Sequence, residues 1–206
     1  MKNLLMPFAC LAVLVACGQA EEPTTTEPQT EAAPAAPAAT DMPEVSGPMS
    51  EADKNLAFGR AYLDENKIKP GVITTTTGLQ YNILASGDAA GPHPTPGQVV
   101  CVHYRGTSIT GEEFDSSYSR NLPTAFPSNG VISGWVEALS LMRAGDKWKL
   151  VIPAELAYGA RGTSGGSIGP NQALVFEVEL LKLLDISIAE YRTISSVDRS
   201  FDCSQG

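Results

Sequence analysis

Apolar and polar residues alternate with a period of two in three separate stretches of this chain. Residues 98–105 place Val100, Val102 and Tyr104 on one face and Cys101 and His103 on the other. Residues 146–152 set Trp148, Leu150 and Ile152 against Lys147 and Lys149, and residues 174–180 set Leu174, Phe176, Val178 and Leu180 against Glu177 and Glu179. Successive side chains of a strand point to opposite faces, so these stretches predict an antiparallel sheet with one wet face. Residues 72–76 and 79–85, rich in alternation and β-branched side chains, predict further strands. A helical period occurs twice. Residues 133 to about 141 put Trp135 and Leu139 on one face; upstream, Ser50-Glu51-Ala52-Asp53 has the form of a capping box, and Ala52, Leu56, Gly59 and Leu63 share a stripe that ends near Lys69-Pro70-Gly71. The pattern predicts an α+β domain in which an antiparallel β-sheet wraps around one short α-helix, preceded by another short helix. Aromatic residues from several strands then converge where helix and sheet meet.

The two ends of the chain read differently. Lys2 precedes an apolar run over residues 4–15, too short for the roughly 20 residues that span a bilayer, so residues 1–16 are expected to be a leader. The run ends in Leu14-Val15-Ala16-Cys17, which resembles a bacterial lipobox and makes Cys17 the expected lipidation site; ordinary secretory cleavage is the alternative. Gly18, with no Asp there, resembles export to the outer membrane. Residues 18–48 contain six Pro, seven Ala and six acidic residues with no Lys or Arg, a composition that cannot bury enough surface to offset chain entropy. The expected organisation is therefore a lipidated Cys and disordered tether over 17–48, a helical segment over 49–71, the main domain over 72–184 and a tail over 185–206.

Charge narrows the function classes. The net charge is −9, and no basic run is present to hold a phosphate backbone, which argues against nucleic acid as a partner. The four Cys show no metal-ligand spacing and only two His exist, so no metal is expected. P-loop and G-x-G-x-x-G motifs are absent from the sequence.

Five blocks do carry a pattern. Val102-His103-Tyr104-Arg105-Gly106, Glu113-Phe114-Asp115-Ser116-Ser117, Val131-Ile132-Ser133-Gly134-Trp135, Ala157-Tyr158-Gly159 and the run from Leu174 to Leu181 resemble, in order and spacing, the FKBP-type peptidyl-prolyl isomerases. The resemblance spans roughly residues 78–184. Upstream, Asn55, Gly59, Leu63, Asn66, Gly71-Val72 and Gly78-Leu79-Gln80-Tyr81 resemble, more weakly, the junction before that domain in bacterial, macrophage-infectivity-potentiator-like members.

The chemistry this implies needs no nucleophile and no cofactor. Rotation about an Xaa-Pro amide is slow because it sacrifices resonance, with a barrier of about 20 kcal/mol. Resonance charges the carbonyl oxygen, so water favours the planar form, and an apolar cleft that withholds water favours the twisted one. By the resemblance, Trp135 is the floor under the proline ring and Asp115 orients the twisted amide. Tyr104 and Arg120 hold Asp115, Tyr158 offers its hydroxyl and Ile132 its backbone N–H, and Phe114, Val131, Ile168 and Phe176 complete the pocket, with Phe126 compensating for Thr124 where some members have an aromatic residue. Each also has a plainer reading: Phe114, Val131 and Phe176 as core, Asp115 as an Asx-turn residue, Tyr104 as a satisfied core hydroxyl and Trp135 as a packing anchor. By strand alternation His103 points away from the pocket, and His93 in its Pro-rich loop is expected to be solvated.

Residues 159–169 form a Gly-rich stretch expected to act as a flexible flap; around Ser164 to Gly166 it is barer than in many members, which bears on closure and macrolide affinity. Cys101 should face outward from the sheet, and the tail is long enough to cross that face. A Cys101–Cys203 disulfide is therefore the expectation, with two unpaired thiols as the alternative. The expected partners are proline-containing unfolded or exported polypeptides and macrolide inhibitors, with a monomer as the default. The competing function is a non-catalytic holdase that binds unfolded chains in the same groove.

Overall fold

Residues 48–197 and Cys203 are described by the computed structural model of the chain. The leader, Cys17 and almost all of the tether lie outside the described residues. The elements run α1 (Glu51–Asn66), β1 (Val72–Thr74), β2 (Gln80–Ala85), β3 (Val99–Ser108), β4 (Glu113–Ser116), β5 (Thr124–Pro127), α2 (Ser133–Leu141), β6 (Lys147–Ile152), β7 (Leu174–Leu183) and α3 (Ile188–Val197). All strands belong to one antiparallel sheet of order β1-β2-β6-β7-β3-β4, with β5 paired to β3 alongside β4. No described helix is long and apolar enough to cross a membrane.

The period-two stretches form the centre of the sheet. Cross-strand partners such as Tyr104↔Val178 and Trp148↔Val178 put their side chains on one face, and Val100, Val102, Leu150, Val178 and Leu180 there are wholly buried. Helix α2 covers this face through Trp135, Ala138 and Leu139. It can approach closely because residue 134 is Gly: a Cβ there would stand 2.6 Å from Ile152 Cγ2. Asp146 fixes the other end of the helix, its carboxylate accepting from the Gly87 N–H at 2.7 Å and the Arg143 N–H at 2.8 Å.

The opposite face is not uniformly wet, contrary to the alternation pattern. Its middle carries Lys147, Lys149, Glu177 and Glu179, but both ends are covered. At one end Gln80, paired with the buried Val151, donates to the Leu63 carbonyl at 2.8 Å and accepts from Asn66 at 2.9 Å, which docks the C-terminal half of α1. Gly59 gives α1 its close approach to Ala173, since a Cβ would meet the Ala173 Cβ at 3.0 Å. At the other end Cys101 does point away from the main core, yet it is fully buried in a second cluster with Val99, Ala125, Leu184 and Cys203. A Cys101–Cys203 disulfide, with Cα atoms 5.7 Å apart, joins the tail to the sheet.

Ser50 caps α1 as its motif predicts, accepting from the Asp53 N–H. Strands β4 and β5 and helix α3 were not predicted by periodicity. The two strands are four residues each, too short to display a period, and prolines bracket β5.

Candidate active site

A cleft of about 490 Å³ opens between α2, the sheet edge and the segment after β6. Tyr104, Phe114, Asp115, Thr124, Phe126, Gly130, Val131, Ile132, Trp135, Tyr158 and Phe176 line it. Of the residues expected to form the site, all but Arg120 and Ile168 stand on its wall.

The floor is built from rings. Trp135, in the first turn of α2, has Tyr104, Phe176 and Phe126 around it at centroid distances of 5.4, 5.2 and 5.6 Å and interplanar angles of 84°, 89° and 60°. Phe114 meets Phe176 edge-on at 5.5 Å and 86°. Edge-to-face contacts suit the aromatic quadrupole and fix the ring orientations. Gly106 lies beneath them. Its partners in register are Asp115 on β4 and Phe176 on β7, and a Cβ at Gly106 would approach the Phe114 and Phe176 rings to 2.7 Å. Ile132 is the N-cap residue of α2, and its carbonyl accepts from the Trp135 and Val136 N–H groups.

The polar groups gather at one rim. The Tyr104 hydroxyl donates to Asp115 Oδ2 at 2.6 Å, Arg120 Nη1 donates to Asp115 Oδ1, and Arg120 Nη2 donates to the Tyr104 oxygen at 2.9 Å. Arg120 thus sits behind Asp115 without lining the cleft. The Asp115 and Arg120 side chains are 43% and 48% exposed, so the ion pair contributes only about 0–1 kcal/mol to stability and its main effect is orientation. Ser117 locks the same corner: its hydroxyl accepts from the Tyr104 N–H at 2.7 Å and donates to the Tyr104 carbonyl at 3.1 Å. Tyr158 also lines the cleft, 40% exposed.

Burial pushes the Tyr104 phenol above its ordinary value, and its hydrogen bond to Asp115 pushes it further; burial, then the Asp115 charge, raises Tyr158 likewise. Both hydroxyls stay protonated donors through neutral and mildly alkaline pH. For a raised folded-state value, the contribution is complete below the unfolded phenol value of about 10 and is lost only as pH rises through the folded one. An activity that uses these two hydroxyls as donors is therefore expected to be flat from pH 7 to about 10. A pH–rate profile checks this, and a fall centred below pH 9 would contradict the assignment of Tyr104 as a neutral donor.

Ile168 is 3% exposed, belongs to the main core and is not among the residues that line the cleft. It anchors the Gly-rich loop instead. The Ile168 carbonyl accepts from the Thr163 N–H at 2.9 Å and its N–H donates to Thr163 Oγ1 at 3.1 Å, so this loop is closed on itself. Gly162, at φ 63°, makes the closure sterically feasible, since a Cβ there would lie 2.3 Å from the Ile168 carbonyl oxygen. His103 lies outside the cleft as alternation requires, stacked on Tyr118 at 4.6 Å with Nδ1 2.9 Å from Ser117 Oγ. His93 is exposed but not free: its Nδ1 donates to the Met142 carbonyl at 3.0 Å. Sequence reasoning missed Gly130 and the seating role of Gly106, and treated Thr124 only as a departure from an aromatic residue. Gly106 was visible within the Tyr-Arg-Gly motif, but only the register reveals that it lies between two site residues.

Comparison with known proteins agrees with this geometry. The family described as "FKBP-type peptidyl-prolyl cis-trans isomerase" matches residues 91–181, and "Domain amino terminal to FKBP-type peptidyl-prolyl isomerase" matches residues 11–83. The "FKBP-type 22 kDa peptidyl-prolyl cis-trans isomerase" of Escherichia coli is 54% identical over 128 residues, covering 62% of this chain and 61% of that protein. "Outer membrane protein MIP" of Legionella longbeachae is 44% identical over 133 residues, covering 65% of this chain and 56% of that one. The chain thus spans less than two thirds of the length of these relatives. Among solved structures, FkpA from Escherichia coli superposes with a TM-score of 0.61 at 46% identity, covering 64% of this chain and 60% of that one. A peptidyl-prolyl cis-trans isomerase from Pseudomonas syringae superposes with a TM-score of 0.60 at 39% identity, covering 66% of this chain and 98% of the other. With a ring-lined cleft built from the same sequence blocks, and a complete domain matched at this identity, the chain belongs to the family of FKBP-type peptidyl-prolyl cis-trans isomerases.

Proposed function

We propose that this protein accelerates cis/trans rotation about Xaa-Pro bonds in polypeptides of the bacterial envelope, and that the cleft around Trp135 is where it does so. The observation that carries the reading is the ring floor: Trp135 with Tyr104, Phe126 and Phe176 packed edge-on about it, under an opening of a size to admit a proline side chain.

The mechanism follows from solvation. A planar amide has a charged carbonyl oxygen that water stabilises, and a twisted amide has less of that charge. Seating the proline on Trp135 strips water from the amide, which raises the planar form relative to the twisted one; this is differential binding of the transition state. Asp115 is held by Tyr104 and Arg120 with both carboxylate oxygens engaged, so its field is fixed before the substrate arrives and requires no reorganisation as the bond turns. The Tyr158 hydroxyl and the Ile132 N–H are the donors proposed for the flanking carbonyls. No bond to a heavy atom forms or breaks, and no proton need move.

Two further elements support an envelope location. The apolar run before Cys17 has the form of a lipoprotein leader, and the acidic Pro/Ala segment behind it has the composition of a tether. We propose that lipidated Cys17 holds the domain at the outer membrane, with exported proline-containing chains as substrates, macrolides as inhibitors of the same cleft and a monomer as the working unit.

Refolding of a protein whose slow phase is limited by a proline tests the reading. Substoichiometric full-length protein should speed that phase, which takes tens to hundreds of seconds unaided. A holdase in the same cleft would instead suppress aggregation and leave the slow phase unchanged, an outcome that would overturn the isomerase reading.

A further inference from the structure

The wall of the cleft formed by β5 has little of its own to hold it. It is four residues long and its pairing is with β3 alone, Val100↔Phe126, Cys101↔Ala125 and Val102↔Thr124. Alternation sends Thr124 and Phe126 into the cleft and Ala125, between them, to the opposite side. There Ala125 is 6% exposed and packs with Val99, Cys101, Leu184 and Cys203, against which Ile186 and Tyr191 also lie. The Tyr191 hydroxyl, on α3, donates to the Ala125 carbonyl at 2.8 Å. The Cys101–Cys203 disulfide closes the far end of the same tail onto the β3 residue that faces Ala125. On the cleft side, Phe126 stands edge-on to Trp135. One continuous set of contacts therefore leads from the tail, through Ala125, to the floor.

We infer that the C-terminal segment is a positioning element for the substrate cleft: Tyr191 and the Cys101–Cys203 bridge hold β5 from behind, so that Thr124 and Phe126 are set against Trp135 before substrate binds. The inference rests on the reading of this cleft as the proline site. Tyr191 and Cys203 touch no substrate; they act through β5. Their loss should therefore weaken substrate binding while leaving Asp115, Tyr104 and Tyr158 in place, a pattern that differs from loss of a group acting on the turning bond.

The test compares full-length wild type, Tyr191→Phe and Cys203→Ser. Tyr191→Phe keeps the ring and removes only the hydroxyl, so it remains informative if the Cys variant fails to fold. A hydrogen bond of ordinary strength, transmitted to binding, corresponds to roughly a 2- to 10-fold rise in KM for a proline peptide, with kcat within about 2-fold of wild type. The backbone amide NMR signals of Thr124 and Phe126 should shift or broaden in both variants. Amide signals and KM equal to wild type, with a lowered melting temperature alone, would overturn the inference and leave the tail a stabiliser of the fold. A wild type that fails to catalyse counts against the isomerase reading, and the amide signals still decide the role of the tail.

Discussion

Trp135→Ala is expected to lower kcat/KM for a proline peptide by about 100-fold, or roughly 2.7 kcal/mol of transition-state stabilisation. Three rings rest on this indole, and it is 5% exposed at the first turn of α2. Removing it deletes the surface on which the proline ring would sit and frees Tyr104, Phe126 and Phe176 to collapse or to admit water. Water is the more damaging consequence, since the proposed mechanism requires the cleft to deny hydration to the planar amide. Stability should fall as well, by about 3–5 kcal/mol for a buried Trp truncated to Ala, or roughly 6–20 °C in melting temperature for a domain of this size. Trp135→Phe separates the two effects, because a smaller ring keeps an aromatic floor and should recover part of the activity. If Trp135→Ala folded and turned over within 3-fold of wild type, the cleft would not be the site of catalysis.

Gly106→Ala should produce the second-largest effect from the smallest change. The added Cβ would come within 2.7 Å of Phe114 Cε2 and Cζ and of Phe176 Cε1, and neither ring can retreat without displacing the other, because they meet edge-on. Overpacking of this kind costs about 1–3 kcal/mol. Gly106 is flanked in register by Asp115 and Phe176, so the strain falls on the two strands that deliver the carboxylate and the ring wall. We expect kcat/KM to drop about 10- to 50-fold, well beyond the modest loss of stability. Steady-state kinetics with a parallel thermal melt checks it; unchanged kinetics would mean that the rings accommodate the methyl without moving the site.

Much of this arrangement can be read from the chain before any coordinates. The alternation in β3, β6 and β7 is strong because one face is buried along its length, and helix α2 begins and ends where its Trp135 and Leu139 stripe predicts. Tyr104, Asp115 and Phe176 converge because β3, β4 and β7 are neighbours in the sheet, and Trp135 on α2 and Tyr158 after β6 join them in the cleft, a set that only the family resemblance brought together in advance. Other features depend on packing that leaves no local mark. The end of the face carrying Cys101 reads as wet from its own strand, yet it is dry because a segment about a hundred residues later covers it. Ile168 belongs to the Gly-rich stretch and by the resemblance is expected in the pocket, but its side chain serves the core and its backbone closes the loop. Strands β4 and β5 carry Phe114, Asp115, Thr124 and Phe126, and neither is long enough to announce itself by period. The value of Gly106 lies in what its missing Cβ would strike, and no sequence pattern contains that.

The central claim, that a water-poor ring-lined cleft lowers the barrier to amide rotation without proton transfer, is tested most directly by exchange NMR on a short Xaa-Pro peptide with catalytic amounts of full-length protein. The account predicts that wild type brings cis/trans exchange from the scale of tens to hundreds of seconds to well under a second, at equal rates in H₂O and D₂O. It also predicts that the double variant Asp115→Ala, Trp135→Ala leaves the peptide near its unaided rate. Exchange no faster with wild type than with the double variant, or slowed about 2-fold or more in D₂O as a proton in flight in the rate-limiting step would require, would contradict it.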